Sequence, residues 1–300
     1  MLKTKDWRRK KLYSVNNAVI MAAGTASRFA PISYERPKAL IEVKGEVLIE
    51  RQIRQLKEAG ISEIYIVVGY KPELFEYLQE ELGVHIVKNP DYLVRNNHSS
   101  IYAVKDYLKN TYICSADNYF SENPFASKVS ESYYAAVYAD GPTKEWCMDT
   151  DEEGYIREVQ VGGQDAWYML GHTFWSEKFS EKFVGILEEE YPRTETKDLY
   201  WENIYINHIN ELSMKIRKYE ENIVFEFDTL DELREFDESY ISNTRSKILQ
   251  EVAKQLNCKE EDICQVAAYK NDTNEAAGFT FKLKDETYRY SYEDKSLRKE

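Results

Sequence analysis

The 300-residue sequence is short of cysteine, histidine, glycine and basic charge, and it has no long apolar run. Each shortage excludes something. Cys114, Cys147, Cys258 and Cys264 are the four cysteines, with neither CxxC nor zinc-finger spacing. A disulfide scaffold and a zinc ribbon are therefore excluded, and reduced thiols are expected. None of the four histidines sits in a metal-binding or nucleophile pattern, and His98, after Asn96 and Asn97, reads as a solvated loop residue. There is no GxSxG, no Walker A lysine and no GxGxxG fingerprint. No apolar stretch approaches the roughly 18 residues of a membrane span. Residues 1–11 are basic but lack the apolar run and cleavage site of a signal peptide. Lys and Arg number 40 against 53 Asp and Glu, a net charge of −13, which argues against a general nucleic-acid or anionic-membrane binder. What the chain does have is 14% aromatic residues and periodic apolar positions, which exclude disorder. The expectation is a soluble cytoplasmic protein of one main domain, residues 1–240, plus a small appendage, residues 241–300.

Residues 17–117 alternate strand and helix signals. A short apolar strand over 18–22 ends in small residues and Gly24. Ile49, Ile53 and Leu56 then form a helical stripe stopped by Gly60, and 64–68 is a β-branched strand. Pro72 opens a helix with Leu74, Tyr77 and Leu78 inward, 84–87 is a strand, Ile101, Val104 and Leu108 make a stripe, and 111–116 is a strand ending at Asp117. Such alternation with short connections implies a mostly parallel sheet covered by helices on both faces. From Tyr133 the pattern becomes antiparallel: four strand-like runs over 133–139, 146–150, 155–161 and 167–170 are separated by Asp-Gly, Glu-Gly and Gly-Gly. A helix with Phe179, Phe183 and Leu187 on one face follows, then a helix over 197–209, strands over 214–219 and 223–227, and a stripe of Leu230, Leu233 and Phe236. The appendage shows a helical seam of Ile248, Val252 and Leu256 and a hairpin over 279–292, an α+β element.

The informative stretch is Met21-Ala22-Ala23-Gly24-Thr25-Ala26-Ser27-Arg28, followed by Pro37-Lys38. A strand running into Ala-Ala-Gly lets backbone N–H groups approach a phosphate with no side chain in the way. Arg28 and Lys38 supply two cations for a polyanion. Taken alone, the Gly-Thr-Ala-Ser fragment is better described as a tight turn with two surface cations.

Together these residues resemble the signature of the sugar-nucleotidyltransferase superfamily, LAAGxGxR…PK, with Ala26 in place of its second glycine. The similarity narrows along the chain. Residues 48–53, 66–71, 96–102, 116–120, 144–146, 198–203 and 225–228 resemble bacterial CTP:phosphocholine cytidylyltransferases of the LicC type, in order over about 17–238. The resemblance implies a Rossmann-like nucleotide-diphospho-sugar transferase fold with a small antiparallel subregion. It implies that Ala22, Ala23, Gly24, Asn97 and Ser99 hold the nucleotide while Arg28 and Lys38 stabilise charge at the α-phosphate. The reaction it implies makes CDP-choline and pyrophosphate from CTP and phosphocholine. Another phospho- or phosphono-amine, a sugar phosphate, and a non-catalytic nucleotide-binding scaffold remain as alternatives.

Asp117 ends a parallel strand, and Glu226 and Asp228 share a strand face at spacing two, hard oxygen ligands of the kind Mg²⁺ takes beside a triphosphate. A turn former and an exposed edge are the plainer readings; the resemblance assigns all three to the metal. Asp198 and Glu202 fall at i, i+4 with Tyr200 and Trp201 between them, and Trp146 lies in the antiparallel region. Aromatic faces beside carboxylates hold quaternary ammonium groups, although core packing explains aromatics equally well. The resemblance implies that Trp146, Asp198, Tyr200 and Trp201 line a choline pocket, with Trp167 and Trp175 left to the core. Around Gly278 and Tyr288 the appendage distantly resembles the opening hairpin of a choline kinase, without a kinase catalytic set after it. A packing element that stabilises the main domain or a homodimer is the expectation there.

Overall fold

A computed structural model describes residues 12–271 and 276–300. The basic stretch 1–11 and residues 273–275 of the kinase-like hairpin lie outside the described residues. Apolar alternation along Asn17–Ala22 explains the centre of the molecule. Ala18, Ile20 and Ala22 face one core with Ile49, Ile53 and Leu56, while Val19 faces another with Ile101, Val104 and Trp175. A strand buried on both faces is what a parallel sheet sandwiched by helices requires.

The seven-stranded sheet runs Lys215–Lys218, Tyr133–Thr150, Ile156–Trp175, Thr111–Ser115, Asn17–Ala22, Ile64–Val68, His85–Lys88. Asn17–Ala22 pairs in parallel with both Ile64–Val68 and Thr111–Ser115, so the chain order reverses beside it. In open α/β sheets the crevice at such a reversal is where ligands bind. Among the described residues no helix is long and apolar enough to cross a membrane.

Three departures from expectation have local causes. The helix expected after Pro72 is a 3-10 turn, Pro72–Phe75, followed by Tyr77–Leu82; Phe75 and Leu78 are inward, whereas Leu74 is exposed. The four antiparallel runs are two long strands, Tyr133–Thr150 and Ile156–Trp175. Only the Gly154 turn reverses the chain. Gly141 and Gly162, both at positive φ, sit at register shifts inside the ladder, since glycine in a strand serves a bulge as readily as a turn. The helix expected over 197–209 shortens to Trp201–Asn207.

Residues 241–300 contain the helix Lys247–Leu256 and a four-stranded antiparallel sheet, Ile263–Lys270, Ala276–Leu283, Glu286–Ser291 and Leu297–Lys299. Their apolar residues Leu249, Val252, Phe279 and Phe281 share one core with Phe29, Ile32, Val43 and Leu230 of the main domain.

Candidate active site

Two adjoining cavities open at the reversal of the sheet. The first, about 330 Å³, is lined by Ala22, Ala23, Gly24, Arg28, Lys38, Asn97, Ser99, Asp117 and Tyr200 among others. A Cβ built on Gly24 would meet nothing within 4 Å in the protein, so its backbone faces the cleft. Gly69 buttresses the turn from behind: a Cβ there would lie 2.4 Å from Tyr92 Cγ and 2.9 Å from the Ala23 carbonyl. That proximity lets the Tyr70 N–H donate to the Ala23 oxygen at 3.2 Å. Ala26, in the slot of the missing glycine, adopts φ 45° and ψ 45°. The turn thus keeps its left-handed shape at an expense of roughly 1–2 kcal/mol for the methyl group.

Arg28 and Lys38 converge on the carboxylates. Arg28 Nη1 lies 2.5 Å from Asp228 Oδ2, and Lys38 Nζ lies 3.1 Å from Asp117 Oδ2 and 3.8 Å from Asp228 Oδ1. Lys38 is buried, whereas the Arg28 side chain is 75% exposed and free to follow a ligand. Burial opposes ionisation of Asp117, but the charge and hydrogen bond of Lys38 overcome it and hold the carboxyl below its ordinary range. Glu226 moves the other way, raised by the charge of Asp117 and then by burial. Glu226 ends the strand Val224–Glu226, while Asp228 lies beyond it, ahead of the helix Leu230–Phe236. The strand is too short for the two to share a strand face at spacing two; the chain bends after it and brings Asp228 to the cations.

The second cavity, about 260 Å³, is walled by Trp146, Tyr200, Tyr134, Glu145, Glu202 and Glu226. Trp146 and Tyr200 meet edge to face, ring centroids 5.9 Å apart at 85°. Glu202 accepts from Asn97 Nδ2 and from the Tyr134 hydroxyl, each at 3.2 Å. Burial pushes its carboxyl up to about 7, and these bonds pull partly against that rise.

Trp201 and Asp198 are not in this cavity. Trp201 is 1% exposed and stacks on Tyr134 and against Trp175 and Phe183. It begins a helix whose buried stripe is Trp201, Ile204 and Tyr205, so the i, i+3, i+4 pattern sends it to the core. Asp198 precedes that helix, so it does not share a face with Glu202, and its carboxylate is 84% exposed beside Lys197. Trp175 is wholly buried, and Trp167 packs at the second core's edge, under the Lys218 ammonium. His98 is buried rather than solvated: its Nδ1 bonds the Leu199 carbonyl at 2.6 Å, and burial lowers its pKa.

Asn97 and Ser99 line the first cavity with their polar atoms already engaged. Asn97 Oδ1 accepts from the Trp201 N–H at 2.7 Å, and the Ser99 hydroxyl donates to the Asn96 carbonyl at 2.7 Å. Asn97 lines both cavities, Ser99 only the first. Sequence reasoning missed Tyr134, whose hydroxyl reaches the second cavity from a strand otherwise read as packing. Glu202 was visible in the sequence through its i, i+4 spacing from Asp198, but not as a residue of the acceptor pocket.

A family model for the MobA-like NTP transferase domain matches residues 18–147. The fold and cleft therefore define a nucleotidyltransferase. The choline-phosphate cytidylyltransferase of Streptococcus pneumoniae is 37% identical over 221 residues, 74% of this chain and 96% of that enzyme. The 2-aminoethylphosphonate cytidylyltransferase of Lancefieldella rimae is 38% identical over 234 residues, covering 77% and 95%. The solved structure of CTP:phosphocholine cytidylyltransferase from S. pneumoniae matches with a TM-score of 0.72 at 36% identity, over 76% of this chain and 99% of that one. The chain belongs to the family of cytidylyltransferases that these enzymes represent.

Proposed function

We propose that this enzyme forms CDP-choline and pyrophosphate from CTP and phosphocholine. The observation that carries the reading is the second cavity. Its aromatic pair, Trp146 and Tyr200, stands over Glu202, whose two oxygens are both engaged by Asn97 and Tyr134. Such a wall offers ring faces, and carboxyls that a bound cation would hold ionised, more readily than free acceptors, which suits a trimethylammonium that cannot donate hydrogen bonds.

In the proposed chemistry a phosphocholine oxygen attacks the α-phosphorus of CTP, and the bond from that phosphorus to the bridging oxygen breaks, releasing pyrophosphate. Ala22, Ala23 and Gly24 present backbone to the phosphates. Arg28 and Lys38 hold the charge that develops at the α-phosphate, so positioning and electrostatics supply the acceleration. Asn97 and Ser99 line the nucleotide cleft.

The carboxylates suit Mg²⁺. Asp117 Oδ1 is buried without a hydrogen-bond partner, and the charge of Asp117 raises the Glu226 carboxyl, a repulsion that a cation between the two would relieve. No cluster of three or more ligating side chains is preformed among the described residues. A cation held by one or two carboxylates plus substrate phosphates matches that arrangement. Asp117 with Glu226 or Asp228 would hold it, and when bound it would neutralise charge on the triphosphate.

Trp146→Ala should raise KM for phosphocholine about 5–30-fold, the loss of one cation–π face worth about 1–2 kcal/mol, and leave KM for CTP unchanged. Steady-state kinetics on both substrates check this. The function itself is tested by pyrophosphate release, with CTP, UTP and ATP against phosphocholine, phosphoethanolamine, 2-aminoethylphosphonate and hexose 1-phosphates, with Mg²⁺ and with EDTA. CTP with phosphocholine should give the highest kcat/KM, abolished by EDTA. The carboxylates Glu145, Glu202 and Glu226 in one cavity favour a second reading, a primary phosphono-amine acceptor. A higher kcat/KM for 2-aminoethylphosphonate would establish that reading in place of the first.

A further inference from the structure

Both cations of the site ride on one segment, residues 26–44, and the C-terminal element holds that segment from behind. Phe29, Ala30 and Ile32 are buried in the core that Leu249, Val252, Val266 and Phe279 complete. The Tyr34 ring stacks on the Tyr292 ring at 3.7 Å and 9°. Glu35 Oε1 accepts from the backbone N–H groups of Lys247 at 2.9 Å and Ile248 at 3.3 Å. These open the ten-residue helix Lys247–Leu256, where a negative charge meets the positive end of the helix dipole. Residues just ahead of the C-terminal element add to this hold: the Tyr240 hydroxyl donates to the Glu42 carbonyl at 2.6 Å, and the Lys44 N–H donates to Asp237 Oδ2 at 2.7 Å. On its other side the segment turns Arg28 and Lys38 toward Asp228 and Asp117.

We propose that residues 241–300 are a positioning brace, in which Tyr292 and the start of the Lys247–Leu256 helix fix the segment that carries Arg28 and Lys38. The C-terminal element thereby sets the geometry of the nucleotide half of the reaction. This rests on the assignment of Arg28 and Lys38 to the nucleotide phosphates. Tyr34, Glu35 and Tyr292 do not line the nucleotide cleft and act through the two cations, so they are positioning residues. The leverage is large because a displacement of about 1 Å at reacting groups can cost on the order of 10²-fold in rate.

The test uses Tyr34→Ala, Tyr292→Leu and Tyr292→Phe in the full chain. Tyr34 is 38% exposed, so its removal is compatible with folding even where a change at Tyr292 is not. The Tyr292 hydroxyl is buried without a partner, so phenylalanine keeps the stack and forfeits no hydrogen bond. For Tyr34→Ala and Tyr292→Leu, kcat should fall about tenfold and calorimetric affinity for Mg·CTP should weaken, with KM for phosphocholine unchanged. Tyr292→Phe should match the parent. The brace is overturned if a folded Tyr34→Ala keeps parental kcat and CTP affinity. It is also overturned if KM for phosphocholine rises in step with the CTP effect, as general loosening would produce. Calorimetry with CTP needs no acceptor. A parent chain that binds CTP but ignores phosphocholine would therefore defeat the proposed function and leave the brace to be judged on CTP affinity.

Discussion

Lys38→Ala is expected to lower kcat by two to three orders of magnitude, about the loss seen when one preorganised donor to transition-state charge is removed. Lys38 is 6% exposed and pinned between Asp117 and Asp228, so its ammonium is already in place when the reaction begins. It gains most as charge builds on the α-phosphate, so kcat and kcat/KM should fall together. The substitution also removes the charge and hydrogen bond that hold the Asp117 carboxyl low, leaving burial to push it up toward its neutral form. Pyrophosphate release, with circular dichroism to confirm folding, checks this. Unchanged turnover in a folded variant would remove Lys38 from the reaction.

The second large effect is on stability. Trp201→Ala should destabilise the fold by about 3–5 kcal/mol, the range for deleting a large buried aromatic side chain. The indole lies between Tyr134, Trp175 and Phe183, and no shift of one neighbour could refill that space. Urea unfolding should show a lower midpoint, while KM for phosphocholine and for CTP change little or change alike. A selective rise in KM for phosphocholine at nearly parental stability would return Trp201 to the acceptor pocket.

Trp201 also shows where sequence reasoning stops. The parallel half of the fold was legible because its strands are uniformly apolar and its helices carry clean stripes, as in 48–58 and 64–68. The turn at Gly24 was legible from the small residues before it, but its reading as a phosphate cradle came from the resemblance, since the fragment alone describes a surface turn with two cations. The acceptor cavity was harder. Tyr200 and Trp201 are adjacent, yet one is 46% exposed and the other 1% exposed. Which of them faces outward depends on the helix starting at Trp201 rather than at Lys197, a boundary set by tertiary contacts. Asn97, for example, receives the Trp201 N–H. Asp228 was placed beside Glu226 by strand periodicity, but the strand ends at Glu226. Convergence on Lys38 survives because a bend brings Asp228 back. Pairings across long stretches of chain, such as Tyr34 on Tyr292, leave no local signature.

The pairing of cations with carboxylates in the cleft bears on how substrate would be captured. Arg28 and Lys38 face Asp117, Glu226 and Asp228, and the whole chain carries a net charge of −13. The far field of such a surface repels a bare triphosphate, so electrostatic steering does not speed encounter as it does for enzymes with an open basic funnel. Recognition is then a short-range exchange of partners. A nucleotide arriving with its own divalent counter-ion brings cation to the carboxylates and anion to the arginine and lysine in one event. The same nucleotide arriving bare must draw Arg28 and Lys38 from their carboxylates with no cation to replace them. On the proposed reading, discrimination for the metal-loaded form would begin at the encounter itself, before any chemistry.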